Sequence, residues 1–396
     1  MIEVLVLLGS FIVLCMLGMP VAYTLGLAAI VGALWIDVPR EAVMIQISSG
    51  VNSFSLLAIP FFVLAGAIMA EGGMAVRLVN LARIFVGAIR GGLALVNVIA
   101  STFFSGVSGS SVADTASIGS VLIPQMVKQG YPKVFATNVT ICGSVQAVLI
   151  PPSHNAVLYS LAAGGTISVA QLFLAGVLPG LLFGACVMGL CLILSYRRGY
   201  PRGEAVTLRQ AGRIAIDAIW GLVTVVIILG GILSGVFTPT ESAAVACLYA
   251  FGITMFVYRD YRWAELPMLL HRVTKMVAMV MMLIGFSAAF GYMMALMQVP
   301  AKATQFFVSV ASNTYELLMM INVLLIALGT FMDMAPMILI CTPILLPVIL
   351  KFGIDPVHFG MILLVNAGIG LITPQFTASV VYRAIRCGSQ SESAGT

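Results

Sequence analysis

The chain has 396 residues, of which 61% are hydrophobic and only 8% are charged. Soluble domains carry about 25% charged residues, so this chain lacks the polar side chains needed to cover a water-facing surface. Its net charge of +5 comes from basic residues in short segments between long apolar runs. That distribution excludes the clustered basic and aromatic residues of a nucleic-acid-binding surface. The recurring apolar runs predict an all-α polytopic membrane protein in contact with the lipid bilayer.

The apolar runs can be placed in chain order. Residues 2–36 are apolar except for Glu3 and too long for one span, so the break at Gly18-Met19-Pro20 predicts two short spans or one strongly kinked helix. Two further segments, 92–127 and 316–350, are apolar but interrupted in their middles. Thr240 is predicted to be the N-cap of a span, with Glu241 in its first turn. Further spans are predicted at 53–70, 134–160, 168–194, 214–236, 240–258, 275–297 and 357–385.

The basic residues predict the topology of these spans. They cluster in four segments, which fall on one face of the membrane only if 92–127 is a re-entrant hairpin that enters and returns. An excess of Lys and Arg marks the cytoplasmic face, so residues 298–315 and 351–355 are predicted to lie outside. The segments predicted to be cytoplasmic are 71–91, 128–133, 196–213 and 259–275.

The chain also repeats itself at a constant offset. The pairs that share this offset include Gly106 and Gly329, Pro124 and Pro347, Lys128 and Lys351, Pro151 and Pro374, and Tyr159 and Tyr382; upstream, at a slightly longer offset, Asn97 matches Asn322. The number of spans between the copies predicts that the second is inverted, and inverted repeats with paired broken helices are typical of secondary transporters. The predicted organisation is one membrane domain over 1–396, with repeat 1 at about 53–194, connecting spans at 197–274, repeat 2 at about 275–386 and a polar tail at 387–396.

Each interrupted segment carries oxygen-rich chemistry at its predicted tip. The motif FFSGVSGSSVAD (103–114) supplies hydroxyls, flexible glycines and one carboxylate, as a hard cation such as sodium requires. The matching motif GTFMDMAP (329–336) places Asp333 at the repeat position of Ser110. Helix packing through small residues is the alternative for the first motif, and a structural carboxylate at a helix N-terminus is the alternative for the second. The predicted ion-binding residues are Ser105, Gly106, Ser108, Ser110, Ser111, Asp114, Gly329, Thr330, Asp333 and Thr373.

Two prolines at repeat-related positions predict paired breaks in long spans, in LIPPSHN (149–155) and LITPQF (371–376). Helix N-termini at such breaks attract anions, so Pro151, Pro152, Ser153, Asn155 and Pro374 are predicted to bind an anionic substrate. His154 is interpreted either as a proton relay or as a hydrogen-bonded structural histidine. The sequence contains no phosphate loop, nucleophile elbow or metal-ligand cluster, so we expect no enzyme activity, no catalytic residue, no cofactor and no metal other than sodium.

At these motifs the chain resembles the large permease subunit of tripartite ATP-independent periplasmic (TRAP) transporters. The resemblance implies sodium-driven import of a small organic acid, such as a dicarboxylate or sugar acid, delivered by a periplasmic binding protein. It also implies a small four-span membrane partner, an elevator-type movement and a location in the bacterial inner membrane. The motifs that carry it are AIPFFVLAGAIMAEGG (58–73), FFSGVSGSSVADTASIGSVLIPQM (103–126), LIPPSHNAVLYS (149–160), LFLAGVLPG (172–180), GVFTPTESAAVACLYA (235–250) and GTFMDMAPMILICTPILLPV (329–348).

The end of the chain departs from this pattern. The family has two prolines where this chain has Pro374-Gln375, followed by a further apolar span, whereas here the sequence becomes polar after Tyr382. We therefore expect the chain to insert and fold over most of its length but to transport poorly or not at all. The alternative to a tripartite permease is a stand-alone ion-coupled organic anion transporter or antiporter without a binding protein.

Overall fold

The computed structural model describes residues 2–203, 206–330 and 332–372, with the backbone alone at Leu208. Nearly all of these residues are α-helical, and no β-strand occurs within these ranges, so the predicted all-α architecture is confirmed. The helices are α1 (Ile2–Met16), α2 (Val21–Trp35), α3 (Arg40–Val51), α4 (Ala58–Glu71), α5 (Met74–Val86), α6 (Gly92–Ser108), α7 (Ser111–Lys128), α8 (Lys133–Ser144), α9 (Gln146–Leu149), α10 (His154–Ala162), α11 (Val169–Arg198), α12 (Leu208–Leu233), α13 (Pro239–Gly252), α14 (Leu266–Leu296), α15 (Val299–Val310), α16 (Thr314–Gly329), α17 (Met334–Lys351) and α18 (Pro356–Ile372).

Several helices have the length and apolar composition needed to cross a membrane. Within the described ranges there are six, and a seventh if the interrupted pair Lys133–Leu149 and His154–Ala162 is counted as one span. Five of the six correspond to spans predicted from the sequence, and the sixth is the second arm of the interrupted segment 316–350. The six are Phe54–Glu71, Val169–Arg198, Arg209–Leu233, Pro239–Tyr258, Trp263–Leu296 and Met334–Lys351.

The N-terminal apolar run forms two helices of 15 residues each, α1 and α2, which pack against each other. Gly18 adopts φ +79° between them, and Pro20 immediately precedes α2. The run therefore forms two helices and not one kinked helix, and that each of them spans the membrane stays a prediction. A left-handed glycine followed by proline ends one helix and starts the next, because proline cannot donate the backbone hydrogen bond that would continue the first.

Three shorter helices, α3, α5 and α15, lie where the sequence analysis placed only connections. α5 carries arginines, yet Leu78, Val79 and Ala82 on its other face are buried. It packs against α6, and α15 packs against α17. In a short helix of mixed polarity, the charged residues make the sequence look like a loop. Its apolar face becomes evident only from the packing of the helix against its neighbours.

The helices belong to two compact units. One contains Met1–Leu57, Asn155–Leu172 and Thr274–Gly370, and the other contains Ala58–His154 and Phe173–Val273. Each unit holds one interrupted apolar segment, α6–α7 in the second unit and α16–α17 in the first.

Helix starts follow the offsets found in the sequence. The start of α17 is displaced from that of α7, and the start of α18 from that of α8, by the same offset that relates Gly106 to Gly329. The start of α15 is displaced from that of α5 by the slightly longer offset that relates Asn97 to Asn322. The two copies therefore share an order of elements, and their inversion stays a prediction.

The predicted cap of α13 needs correction. Thr238, and not Thr240, is the N-cap: its hydroxyl accepts from the Glu241 N–H at 3.3 Å, and the Glu241 carboxylate accepts from the Thr238 N–H at 2.8 Å. This is a capping box, in which Ser or Thr precedes Glu by three residues. Thr240 adjoins Glu241 in the sequence, which makes it look like the cap. A capping box instead places its threonine three residues before the glutamate, and that residue is Thr238, just before Pro239.

Inversion of the repeats predicts that Lys128 and Lys351 lie on opposite faces of the membrane. Both are exposed and helical, so cysteine fits at either position without the strain that the neighbouring left-handed glycines would impose. In a cysteine-free background, a membrane-impermeant maleimide applied to intact cells should label Lys351→Cys and not Lys128→Cys. Labelling of both from the same face would contradict the inversion.

Candidate functional site

The first interrupted segment folds as a hairpin whose arms, α6 and α7, pack against each other. Gly109 follows α6 with φ +59°, a left-handed conformation that glycine adopts without strain. Ser110 then caps α7, because its hydroxyl accepts a hydrogen bond from the Ala113 N–H at 3.4 Å. The tip of this hairpin is therefore the two-residue turn Gly109-Ser110.

This tip touches the break at residues 150–153, between α9 and α10. His154 donates from Nδ1 to the carbonyl oxygen of Gly109 at 2.7 Å. A β-carbon on Gly109 would collide with the carbonyl oxygen of Pro152. The tip and the break thus meet backbone to backbone, and only glycine permits that approach.

The residues of the break are themselves buried. Pro151, Pro152 and Ser153 are inaccessible to solvent, and the Ser153 hydroxyl donates to the carbonyl oxygen of Val148 at 2.6 Å. That hydrogen bond satisfies a carbonyl that the interrupted helix leaves without its usual partner. The predicted anion-binding residues of the first repeat therefore lie at a real helix break.

Four buried side chains in this hairpin have oxygens without a hydrogen-bond partner among the described residues. They are Asn97, with its Oδ1, Ser101, Ser105 and Asp114, the last with both carboxylate oxygens. Ser101 and Ser105 are one turn apart on α6, and the Ser101 hydroxyl lies beside the Asp114 carboxylate on α7. An unsatisfied buried polar group costs about 1–3 kcal/mol, and a charged one costs more. Oxygen atoms held in this way suit a hard cation, which takes oxygen ligands.

Side-chain hydrogen bonds tie the hairpin to α8 and α9. Asn97 donates to Thr140 at 2.7 Å, Thr102 donates to Gln146 at 2.8 Å, and Thr115 donates to Ser144 at 2.6 Å. Gln146 in turn donates to the carbonyl oxygens of Gly143 and Val98, at 3.0 and 3.3 Å. These ties hold both arms of the hairpin in one position.

Ser101 and the residues that make these inter-helix hydrogen bonds were not predicted as site residues from the sequence. The sequence showed only the repeat match of Asn97 to Asn322. In the structure both asparagines bond a neighbouring helix: Asn366 donates to the Asn322 side-chain oxygen at 2.6 Å, which joins α18 to α16. In each unit, an asparagine on the first arm of the hairpin therefore bonds the span that follows the hairpin.

The second hairpin differs from the first in its carboxylate. Asp333 is the N-cap of α17, and its Oδ1 accepts from the Met334 N–H at 2.8 Å. Its side chain is exposed, whereas that of Asp114 is fully buried. Thr330 donates to the Ala327 carbonyl oxygen at 2.6 Å. Asp333 and Ser110, which the repeat aligns, are therefore both helix caps.

Gly329 lies at a close crossing of α16 and α18. A β-carbon there would be 3.1 Å from the Cα of Gly370, and one on Gly370 would be 2.8 Å from the Gly329 carbonyl oxygen. These contacts require two glycines. Thr373 and Pro374, the predicted ion- and substrate-binding residues of the second break, lie outside the described residues, as do Tyr382 and the polar tail.

Residues 8–387 match the family described as tripartite ATP-independent periplasmic transporter, DctM component. The chain belongs to this family. TRAP permeases are multi-pass proteins of the bacterial inner membrane, and the apolar helices described above place this chain in the same class. The resemblance read from the sequence motifs is thereby confirmed.

Individual relatives cover most of the chain. It is 38% identical over 383 residues to the C4-dicarboxylate TRAP transporter large permease protein DctM of Rhodobacter capsulatus, with 93% of this chain and 87% of that protein covered. It is 39% identical over 376 residues to the isethionate TRAP transporter permease protein DctMQ of Oleidesulfovibrio alaskensis, covering 93% of this chain and 58% of that longer protein.

The fold is similar to a solved structure as well. The crystal structure of the Alcanivorax borkumensis YdaH transporter, which was reported to have an unusual topology, aligns with a TM-score of 0.62 over 94% of this chain and 90% of that one. The identity is 14%, so this likeness concerns the fold alone.

The contact between tip and break predicts that Gly109→Ala is more damaging than Gly130→Ala. Both glycines have positive φ, +59° and +88°, so alanine adds about 1–2 kcal/mol of backbone strain at either. Only at position 109 does the new β-carbon meet backbone, since nothing lies within 4 Å at position 130. We expect a lower melting temperature for Gly109→Ala by fluorescence-detected gel filtration. Equal losses in the two variants would contradict the contact.

Proposed function

We propose that this chain is the large permease subunit of a sodium-coupled TRAP transporter that imports a small organic acid. The observation that carries the proposal is the cluster of unpaired oxygens of Ser101, Ser105 and Asp114 inside the first hairpin. Ionisable groups buried in a membrane protein are expensive and are kept for transport or coupling. A sodium ion coordinated by these oxygens would compensate the buried charge of Asp114.

The first ion site takes its ligands from both arms of the hairpin. Asp114 contributes the charge, and Ser101 and Ser105 contribute hydroxyl oxygens. The Ser110 hydroxyl already caps α7, and Ser108 accepts from the Ser110 N–H at 3.5 Å. These two serines, with Gly106 and Ser111, shape the tip against which the ion is held.

A second ion site is proposed at the tip of the other hairpin, from Gly329, Thr330 and Asp333, with Thr373 beyond the described residues. The Thr330 hydroxyl gives its proton to a carbonyl, so its lone pairs stay free to coordinate a cation. Asp333 is exposed while capping α17. An accessible carboxylate is suited to capture an ion from water, whereas the buried Asp114 is suited to retain one.

The substrate anion is proposed to bind at the breaks. α10 begins at His154 directly after Pro151, Pro152 and Ser153, and a helix N-terminus carries a positive partial charge that favours a carboxylate. Asn155, in its first turn, offers an amide donor. The second break would contribute Pro374 in the same manner.

The relatives support an organic acid as the substrate and a second membrane subunit as a partner. One is named for C4-dicarboxylates and the other for isethionate, so an anionic head group is the shared chemistry. The second is named DctMQ, and its length beyond the match leaves room for a fused partner. We propose that this chain works with a small four-span subunit and a periplasmic binding protein.

Uptake into proteoliposomes tests this function directly. Any uptake of a labelled organic acid by the chain, with a four-span subunit and a candidate binding protein, should require an inward sodium gradient, and a low rate of uptake is expected from the atypical sequence after Tyr382. Replacing sodium with potassium should abolish uptake. Sodium-driven uptake that needs no binding protein would instead favour the stand-alone anion transporter.

In the same assay, Asp114→Ala and Asp333→Ala should each abolish sodium-coupled uptake without loss of expression. Asp355→Ala is the matched control, because Asp355 is also an exposed carboxylate at a helix start, where it accepts from the Val357 and His358 N–H groups at 2.9 and 3.0 Å. Loss of uptake in all three would show that capping alone matters at Asp333.

Serine variants separate ligation from packing within the first hairpin. Ser101→Ala should raise the half-saturating sodium concentration about tenfold, equivalent to about 1.4 kcal/mol of binding free energy. Ser120→Ala should not, because Ser120 is exposed on α7 and donates to the Ser117 carbonyl oxygen at 2.8 Å. Wild-type sodium dependence in Asp114→Ala and Ser101→Ala would refute the first ion site.

A further inference from the structure

A cavity of about 780 Å³ opens beside the start of α12, far along the chain from both hairpins. Its walls are the first four turns of α12 and the π-helical turn Ile253–Tyr258 that follows α13. All of these residues belong to the unit that contains Phe173–Val273. The transport mechanism proposed above makes no use of this cavity.

One end of the cavity is cationic. Arg209 and Arg213 line it one turn apart on the same face of α12, and both are exposed. The side chain of neither makes an ion pair or a hydrogen bond with another residue in the part of the chain that the structure describes. Two guanidinium groups are therefore available to a ligand.

The acidic residue in the cavity does not cancel this charge. The Asp217 carboxylate is paired with Arg77, whose Nε lies 3.2 Å from it, and a second nitrogen of Arg77 lies 2.6 Å from Asp260. The Arg77 guanidinium also stacks on the Tyr258 ring at 3.6 Å. Tyr258 donates in turn to the Asp217 carbonyl oxygen at 2.6 Å, so these groups satisfy one another.

The other end of the cavity is apolar. Ile216, Trp220 and Val257 line it and are exposed by 69%, 42% and 50%. At 1.5 Å per residue, Trp220 lies about 10 Å further along α12 than Arg213. Because Arg209–Leu233 is long and apolar enough to span the membrane, this direction leads from the membrane surface into the hydrocarbon.

We propose that the cavity binds an anionic phospholipid. Its phosphate would lie between Arg209 and Arg213, and an acyl chain would follow Ile216, Trp220 and Val257. Basic pockets between spans are a known means of recognising anionic head groups, and tryptophan is enriched where a membrane changes from polar to apolar. A free phosphate would leave the apolar end unused, and a zwitterionic lipid would leave the charge uncompensated.

The test compares phosphatidylglycerol with phosphatidylcholine as additives to the purified full-length chain. Each arginine should favour the anionic lipid about fivefold, hence about 25-fold for the pair. Phosphatidylglycerol should therefore raise the melting temperature of the wild type at a much lower concentration than phosphatidylcholine. Arg209→Gln/Arg213→Gln should remove this preference.

Arg197→Gln/Arg198→Gln is the matched control, because it removes the same charge from the end of α11 without touching the cavity. Equal loss of the preference in both double variants would reduce the effect to general surface attraction and overturn the site. Equal stabilisation by inorganic phosphate would show a simple anion site and overturn the lipid assignment.

A second measurement does not require the arginine variants to fold. The chain has three tryptophans, so Trp35→Phe/Trp263→Phe leaves Trp220 as the only reporter. Phosphatidylglycerol with brominated acyl chains should quench Trp220 fluorescence at a concentration about 25-fold lower than brominated phosphatidylcholine. Quenching by the two lipids at the same concentration would overturn the proposal.

Discussion

Lipid offers no hydrogen-bond partner to the backbone, so every interruption of a helix within this chain must be compensated by protein. The first hairpin shows how this is done. Its tip meets the break at residues 150–153 directly, and His154 donates to the Gly109 carbonyl oxygen, which the end of α6 leaves without a helical partner. Ser110 and Ser153 each satisfy one further backbone group. The polar residues at the tip and the break therefore serve first to provide hydrogen-bond partners for backbone groups that the interrupted helices leave unsatisfied.

The same constraint distinguishes polar groups that fasten the helices to one another from those that have no protein partner. Asn97 bonds Thr140, and Asn366 bonds Asn322, so both units use a buried amide to fasten a hairpin arm to the following span. The oxygens of Ser101, Ser105 and Asp114 differ from these amides in that they combine hydroxyl groups with a fully buried carboxylate, and none of them has a hydrogen-bond partner among the described residues. Buried polar groups that lack a protein partner call for another one, and a transported cation is the partner that the chemistry of these oxygens favours.

The two hairpins are alike in plan and different in chemistry. Both second arms begin with a side-chain cap, Ser110 in one and Asp333 in the other. The carboxylates nevertheless occupy opposite environments, since Asp114 is buried and Asp333 is exposed. The two repeats thus share the positions of their helix starts and caps. Their carboxylates, Asp114 and Asp333, lie at positions that do not correspond in the repeat. A sodium site at each tip would then differ in how readily its ion exchanges with water.

The sequence by itself determined that the chain is an all-α membrane protein, where its long spans lie and which two segments are interrupted, because apolar length and helix-breaking residues are local properties. It also determined the family, since the motifs are contiguous. Only the tertiary structure decided that Ser101 faces Asp114, that Gln146 braces the hairpin, that α5 and α15 are helices, and that Arg209 and Arg213 border a cavity. These features depend on which side chains different helices bring together, and the pattern within any one helix contains no record of its neighbours.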